Sequence, residues 1–483
     1  MSAFVRDNSL LHFTEKLGTM PNFSWKNTTI FVLLQALIIL LFLKIEAVLV
    51  VAGACIIAGV IQIFARHPRI WIYTVVAVSF FYLNFESEGI DAAEVVTGIF
   101  YLGGILIWMF WQTLIRRKKI IQNPGDWLVI FFLLVSITNL VVATLNSVSV
   151  LDWLREWTLL LIILYYFPIR EYFTLPKTIN KLLLSNALLI IALSFYSVYQ
   201  YYARISKGIV YAFEYRSGGL GINETMFMAG IVFGVFAFTL SKKKSTRIIA
   251  GIFTAIALMA LIITFRRTYW LFTLVVIVGA IPFIKLAYQK RLIMYSLVAL
   301  LLVSASAYSV IGARGSQLLF SIVAMRFESS AKGTKDISLY ARIVESNEAL
   351  QHVSELPLSG CGMKSPIAFY EPILKYTKHN NFIHYGYTGS LHKLGWPLTI
   401  LFFLPFFYFL WQGFKNVLQV RKMEPLMAII ALGSFCTLLG VLLSNAIISQ
   451  FDMPMGTIVT AYCFAYIQIV KKNQKSIPQV LLN

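Results

Sequence analysis

Histidines cluster in one short segment of the chain, YTKHNNFIHYGYTGSLHKLG, at residues 376–395. It contains His379, His384 and His392, with Asn380 directly after the first of them. An imidazole has an ordinary pKa near 6.5, so one of these histidines could remove a proton at neutral pH. His384 could instead pack among its aromatic neighbours, and His392 could mark the point where the chain re-enters a membrane. Their spacing matches neither a helical i,i+4 pair nor a standard zinc pattern, so we predict no metal site.

Arginines offer the complementary chemistry, which is the binding of an anion. Arg266 and Arg267 lie in ITFRRTYWLF at the end of an apolar hairpin, where charged side chains are costly and usually functional. Their guanidinium groups match phosphate oxygens, although snorkelling to the membrane surface is the alternative. Arg216 precedes the Gly-rich turn RSGGLGINE, whose backbone amides would also favour an anion. Arg342 lies within a predicted helix, where pairing with Glu345 is the ordinary role.

Membrane helices must position these side chains. Of the 483 residues, 59% are hydrophobic and 13% are charged, and the mean hydropathy is +0.76. A soluble domain is about a quarter charged, so this composition indicates a polytopic membrane protein. The net charge of +20 does not indicate nucleic-acid binding, because most basic residues fall in short connections between apolar runs. The four cysteines form neither a disulfide framework nor a CxxC metal pattern.

Apolar runs long enough to cross a bilayer, about 20 residues each, recur along the whole chain. We predict fourteen spanning helices, with twelve or thirteen as the alternative because two of the runs are short. The predicted fold class is therefore all-α, a polytopic membrane protein. The spans lie at about 28–43, 45–64, 69–84, 95–115, 127–145, 152–168, 180–202, 222–240, 247–265, 268–286, 291–311, 395–412, 426–445 and 454–470.

The basic connections predict the orientation of these helices. Every run of three or four adjacent basic residues falls on one side when both termini are cytoplasmic, as the positive-inside rule requires. We therefore divide the chain into an N-terminal membrane domain at 1–311, a large extracytoplasmic loop at 312–394 and a C-terminal membrane domain at 395–483.

The extracytoplasmic loop is predicted to fold as a small helical cap. Its segment DISLYARIVESNEALQHV has the period of an amphipathic helix, and ELPLSGCGMKSP after it is typical of turns. The apolar residues that share one face of this helix are Leu339, Ile343, Leu350 and Val353.

These motifs, in this order, resemble the O-antigen ligase/polymerase superfamily of the Wzy/WaaL type. FRRTYWL is similar to the family's arginine-bearing helix start, so Arg267 matches the family arginine and Arg266 replaces the usual serine. LYARIVESNEAL resembles the family's loop helix and matches Arg342, while RSGGLGINE near Arg216 resembles a Gly-Asn segment. The resemblance covers about residues 216–405. The family's glycine turn, His-Asn pair and helix entry correspond here to Pro357/Gly360/Gly362, His379/Asn380 and Leu391/Gly395.

The resemblance implies a GT-C-like membrane glycosyltransferase that uses no metal ion or other cofactor. Its donor would be an undecaprenyl-diphosphate-linked oligosaccharide. Arg267 and Arg342 would stabilise the departing diphosphate, and His379 would deprotonate the acceptor hydroxyl. The implied substrate-binding residues are Arg216, Arg266, Asn380 and His384.

Two enzymatic activities and one transport function are compatible with these motifs and spans. We expect a polymerase of lipid-linked repeat units, because the chain carries extra N-terminal spans. A ligase that transfers the glycan to lipid A-core or another acceptor is the alternative, and a lipid-linked oligosaccharide flippase is the second. A flippase should place its polar groups near the bilayer midplane rather than at one surface. The expected location is the inner (plasma) membrane, with the bilayer and other polysaccharide-assembly proteins as candidate partners and no nucleic acid.

Overall fold

The computed structural model describes residues 66–81, 98–206, 223–294, 337–371 and 375–475, with a few isolated positions besides. The predicted spans at 28–43 and 45–64 and most of the span at 291–311 lie outside these residues, as does Arg216 with its Gly-rich turn. From Ile72 onward the described residues form one unit, and every contact discussed below lies inside it.

Helices dominate the described chain, and their bounds follow the apolar runs. Before the loop they are α1 (Pro68–Phe81), α2 (Gly104–Phe110, flanked by π-helical turns Ile99–Gly103 and Trp111–Ile115), α3 (Pro124–Ser136), α4 (Asn139–Leu145), α5 (Val150–Leu161, continued by the 3-10 turn Ile162–Tyr165), α6 (Tyr166–Tyr172), α7 (Pro176–Ser206), α8 (Glu224–Leu240), α9 (Lys244–Ile263) and α10 (Arg267–Ala280). The loop contains α11 (Ile337–Glu355), β1 (Ile367–Glu371) and β2 (Tyr376–Asn380), and it is followed by α12 (Gly386–Leu418), α13 (Pro425–Asn445) and α14 (Pro454–Lys475).

Five helical stretches in the described part of the chain are long and apolar enough to cross a membrane. They are Pro124–Leu145, Pro176–Ala203, Lys244–Ile263, Gly386–Leu418 and Pro425–Asn445. Four shorter apolar helices accompany them. The prediction of a helical membrane protein is therefore confirmed, while the count of fourteen spans and the likeness to GT-C enzymes stay predictions.

Tight helix packing surrounds α13, which is buried along most of its length. A side chain at Gly433 would collide with the ring of Phe233 on α8, so this crossing requires a residue without a Cβ. Phe409 of α12 stacks on Phe464 of α14 with ring centroids 3.9 Å apart. These contacts fix the helices whose ends carry the polar residues described below.

The basic connections meet at one end of the bundle. Arg421 donates to the carbonyl oxygen of Pro282 at 2.7 Å, and Arg291 donates to the last turn of α8 at 3.1 Å. These contacts bring the C-terminal ends of α8, α10 and α12 together. Such clustering of positive charge at one end is the pattern that the positive-inside rule describes.

The loop departs from the predicted all-helical cap. Strands β1 and β2 form an antiparallel hairpin with Ile367 opposite Asn380, and Ile367 packs with Phe369 and Ile383 against Ala349 of α11. The all-α prediction is therefore wrong for this segment. The physical reason is that burial alternates along this segment. Ile367 and Phe369 are buried while the residues between and beside them are not, as expected for a strand with one face packed on a helix.

Helix α11 forms where the sequence predicts it, but Val353 is the one residue of the predicted apolar face that is fully buried. Leu350 is 44% exposed, whereas Glu345 is 1% exposed and lies on the same face as Ala341 and Ala349. A buried carboxylate is stable only when it is paired, and Glu345 has a partner in the segment that precedes α12. The apolar period alone therefore predicted only part of the buried face of α11.

A pair of glycines joins the loop to α12. Gly360 and Gly395 both have positive φ angles, 65° and 68°, and Gly395 interrupts α12 with non-helical backbone. A Cβ on Gly395 would lie 2.5 Å from the carbonyl oxygen of Leu358. Next to this contact, the amide of Cys361 donates to the carbonyl oxygen of His392 at 2.7 Å. The two turns therefore fit together only because both residues lack a side chain.

Candidate active site

The turn between α9 and α10 positions the adjacent arginines. Phe265 has a φ of 53°, and this sharp reversal leaves Arg266 at the N-cap position and Arg267 at the first turn of α10. The Nε of Arg266 forms an ion pair with Oε1 of Glu224, the first residue of α8, whose side chain is 1% exposed. The pair places one guanidinium at the junction of two helix starts.

A buried hydrogen-bond network holds these helix starts in register. Thr225 of α8 donates to the side-chain oxygen of Gln450 at 2.8 Å, and the amide nitrogen of Gln450 donates to the hydroxyl of Tyr269 on α10 at 2.7 Å. Gln450 lies in the turn between α13 and α14, so three connections are tied together. A network with every member paired is rigid, which is what a preorganised charge site requires.

Arg342 reaches this site from the loop helix α11. Burial lowers its pKa, and the positive charges of Arg266 and Arg267 lower it further, while Tyr385 and Glu345 act in the opposite direction. A guanidinium group remains charged in any case. The structure therefore brings together three arginines from two separate parts of the chain.

A carboxylate–imidazole pair adjoins Arg342. Oε2 of Glu345 lies 2.9 Å from Nδ1 of His384 and also accepts a hydrogen bond of 2.8 Å from the His384 backbone amide. The Glu345 side chain is 2% exposed and that of His384 is 36% exposed. A buried carboxylate thus fixes both the backbone and the ring of a histidine whose other edge is open to solvent.

His379 and Asn380, the predicted His-Asn pair, lie elsewhere on the loop. His379 is exposed on strand β2, where it pairs in register with Ala368. Asn380 closes the turn after β2, since its side chain bonds the amide and the carbonyl oxygen of Phe382 at 3.2 and 2.7 Å. Among the described contacts, none brings His379 to the arginines. The structure thus groups Arg266, Arg267, Arg342 and His384, and it leaves His379 and Asn380 on the hairpin.

Sequence reasoning did not identify two carboxylates of this cluster. The sequence predicts Glu345 only as a helical neighbour of Arg342, and it assigns no role to Glu224. The i,i+3 spacing between Arg342 and Glu345 is a signal in the sequence, because it places both side chains on one face of α11. No comparable signal links Glu345 to His384, which lies 39 positions away.

A second buried charge cluster lies beside the glycine junction. Nζ of Lys393 on α12 contacts Oε1 of Glu156 on α5 at 2.6 Å and Oδ2 of Asp452 at 2.8 Å. All three side chains are at most 17% exposed. Two carboxylates satisfy one ammonium here, so this cluster anchors α12 to α5 and to the turn that also holds Gln450.

Comparison with known families gives one match. Residues 252–403 match the family model of the O-antigen ligases, Wzy_C. The matched segment contains all three arginines, Glu345 and His384. No curated protein matches the chain significantly. The resemblance to the O-antigen ligase/polymerase superfamily, first drawn from separate motifs, is therefore confirmed over residues 252–403, a segment that does not include Arg216.

Proposed function

We propose that this protein is a glycosyltransferase that polymerises lipid-linked repeat units at the extracytoplasmic face of the plasma membrane. It would transfer a glycan from an undecaprenyl-diphosphate donor to a sugar hydroxyl of the acceptor. The convergence of Arg266, Arg267 and Arg342 beside the Glu345–His384 pair is the observation that carries this proposal. The family match supports the reaction class.

The positive charge of the arginine cluster complements the negative charge of the leaving group, undecaprenyl diphosphate. The bond between the sugar carbon and the diphosphate oxygen breaks, and negative charge accumulates on undecaprenyl diphosphate as it leaves. Three guanidinium groups face two carboxylates, Glu224 and Glu345, so the cluster keeps an excess of positive charge. Fixed charges in a partly buried site stabilise a developing anion without reorganisation. Arg267 and Arg342 would bind the diphosphate, and Arg266 would support them from its pair with Glu224.

The acceptor hydroxyl must lose its proton as it forms the new bond to the sugar carbon. His384 has the surroundings that a base for this step requires. Pairing with an ionised carboxylate assigns the ring hydrogen to Nδ1, which leaves the lone pair of Nε2 to take the proton. The carboxylate then stabilises the imidazolium that forms, as in other acid–histidine pairs. We therefore propose His384 as the base, with the sequence-predicted His379 as the alternative.

The distribution of basic residues supports an orientation of the protein in the membrane. The basic connections at the ends of α8, α10 and α12 would face the cytoplasm together with both termini. The starts of α8 and α10, with Arg266 and Arg267, lie at the opposite ends of those helices. The arginine cluster would then face the periplasm or cell exterior, where lipid-linked glycans are assembled into polymer.

A reconstitution experiment tests the reaction and separates the two activities. The purified full chain is placed in liposomes with an undecaprenyl-diphosphate-linked repeat unit as the sole substrate and no added divalent metal. Polymer together with free undecaprenyl diphosphate is the expected result. Product that forms only after a different acceptor is added would identify a ligase, which the description of the matching family favours as second candidate. An intact donor under both conditions would overturn the proposal.

A further inference from the structure

Three potential metal ligands lie close together where α11, the glycine turn and α12 meet. They are separate from the arginine cluster. His352 lies in the last turn of α11, Cys361 in the glycine turn and His392 in the first part of α12. Their ligand atoms all lie within 4.8 Å of one another. Cys361 and His392 are buried, and His352 is partly exposed. The sequence separates these residues by up to 40 positions, so only the fold reveals them as a group.

The backbone holds two of the three residues in fixed relation. The amide of Cys361 donates to the carbonyl oxygen of His392 at 2.7 Å, and the amide of Gly362 donates to that of Lys393 at 3.0 Å. Asn146 of the connection after α4 also donates to the carbonyl oxygen of Cys361 at 2.9 Å. Backbone hydrogen bonds thus hold the segments that carry the Cys361 thiol and the His392 imidazole in a fixed relative position. A metal site needs this kind of preorganisation.

The distance between the two imidazoles suits a shared tetrahedral ion. Nδ1 of His352 lies 3.3 Å from Nε2 of His392. Two nitrogens bound at zinc–nitrogen lengths of about 2.0–2.1 Å in tetrahedral geometry are about 3.3–3.4 Å apart. A thiolate sulfur at about 2.3 Å from the ion would lie about 3.5–3.6 Å from each nitrogen. A shift of about 1 Å at the Cys361 side chain is therefore enough to complete the set.

His392 is otherwise poorly satisfied. Its side chain is 0% exposed, and Nδ1 has no hydrogen-bond partner among the described residues. Its Nε2 faces Nδ1 of His352 at 3.3 Å, where two neutral imidazoles can share only one hydrogen bond. A cation between the two rings would bind both facing nitrogens, Nε2 of His392 and Nδ1 of His352, in place of that hydrogen bond.

We propose that His352, Cys361 and His392 bind one zinc-class transition-metal ion, with the fourth position open to water. Two nitrogens and one sulfur are the donor set that Zn²⁺ and chemically similar divalent ions prefer. The ion would link the end of α11 to the glycine turn and to α12. It would thereby hold α11, which carries Arg342 and Glu345, in place. It would take no part in glycosyl transfer.

Cobalt provides the direct test, because a Co²⁺–thiolate bond produces a charge-transfer absorption band. The purified, metal-free full chain is titrated with Co²⁺, and one equivalent with that band is expected. Cys361→Ser should abolish the band, and Cys463→Ser is the matched control because this other buried thiol lies in α14 away from the cluster. Zn²⁺ should displace Co²⁺ and erase the band.

A second variant, His352→Gln, keeps the test informative if Cys361→Ser folds poorly. The His352 side chain is 30% exposed, so its replacement should disturb folding less. This variant should bind Co²⁺ at least about tenfold more weakly than the wild-type chain while its unfolding temperature without metal stays unchanged. Failure of the wild-type chain to bind Co²⁺ would overturn the proposal. A charge-transfer band that persists in Cys361→Ser, or undiminished binding in His352→Gln, would overturn it as well.

Discussion

Glu345 makes two hydrogen bonds to a single residue, His384, one to its backbone amide at 2.8 Å and one to its ring Nδ1 at 2.9 Å. The carboxylate comes from the loop helix α11, and the histidine lies just before α12. The same turn of α11 carries Arg342, whose surroundings include Arg266 and Arg267. Helix α11 therefore carries both Arg342 and the carboxylate that holds the ring of His384, the proposed base.

The first prediction concerns which histidine removes the proton. Substituting His384→Gln should lower the rate of transfer by about 10²–10⁴-fold, the usual contribution of a general base. The matched change His379→Gln should leave the rate within a few-fold of wild type, because His379 is exposed on strand β2. The rates are measured with the reconstituted protein at saturating donor. A large loss in His379→Gln with none in His384→Gln would instead assign the base to His379.

Glu345 should act by positioning the ring of His384 rather than by touching substrate. In Glu345→Gln the hydrogen-bonding shape is kept but the negative charge is lost, so kcat should fall by about 10-fold or more while KM changes little. Glu345→Asp should recover part of the lost rate. Glu348→Gln, one turn further along α11, is the control and should behave as wild type. An equal loss in both Gln variants would indicate a general effect on the helix.

The junction between the loop and α12 should tolerate no side chain at Gly395. Alanine there would adopt a positive φ and place its Cβ against the carbonyl oxygen of Leu358, so unfolding free energy should fall by about 1–3 kcal/mol or more. Gly279→Ala is the control, because nothing lies within 4 Å of its Cβ position. That variant should be neutral or slightly stabilised. Thermal unfolding in detergent gives both values, and equal stability of the two variants would refute the described junction.

Lys393 should be necessary mainly because two buried carboxylates surround it. Lys393→Met leaves Glu156 and Asp452 without their shared cation and should destabilise the protein by about 3–5 kcal/mol. Adding Glu156→Gln and Asp452→Asn to that variant should restore much of the loss, since no unpaired charge then remains. Unfolding temperatures of the single and triple variants provide the comparison. A triple variant that is less stable than Lys393→Met would contradict this explanation.

Much of the helical framework could be predicted from the sequence because long apolar runs in a bilayer have few alternatives. The predicted span 426–445 corresponds to α13 at Pro425–Asn445, and the predicted 222–240 corresponds to α8 at Glu224–Leu240. The hairpin of β1 and β2 was missed because five-residue strands carry little signal, and their stability comes from packing against Ala349.

The site was harder to predict because its contacts join distant segments. Arg266 and Arg267 are indicated by the sequence because adjacent charges at the end of an apolar hairpin are costly, whereas Arg342 is indicated only by the family resemblance. The burial of Glu345 could not be foreseen, because its partner His384 is fixed by the fold and not by helical spacing. The same holds for His352 and Cys361, which join His392 only through the glycine junction.

Donor binding and glycosyl transfer, measured in parallel on the same purified proteins, test the central claim most directly. The wild-type chain should bind an undecaprenyl-diphosphate-linked repeat unit and convert it to polymer. Arg342→Ala should lose transfer by about 10²–10³-fold and should bind the donor more weakly, with Arg421→Ala at the opposite end of the bundle as the unaffected control. His384→Gln should bind the donor as tightly as wild type but fail to transfer it. Full transfer by either Arg342→Ala or His384→Gln, at normal protein levels, would contradict the account.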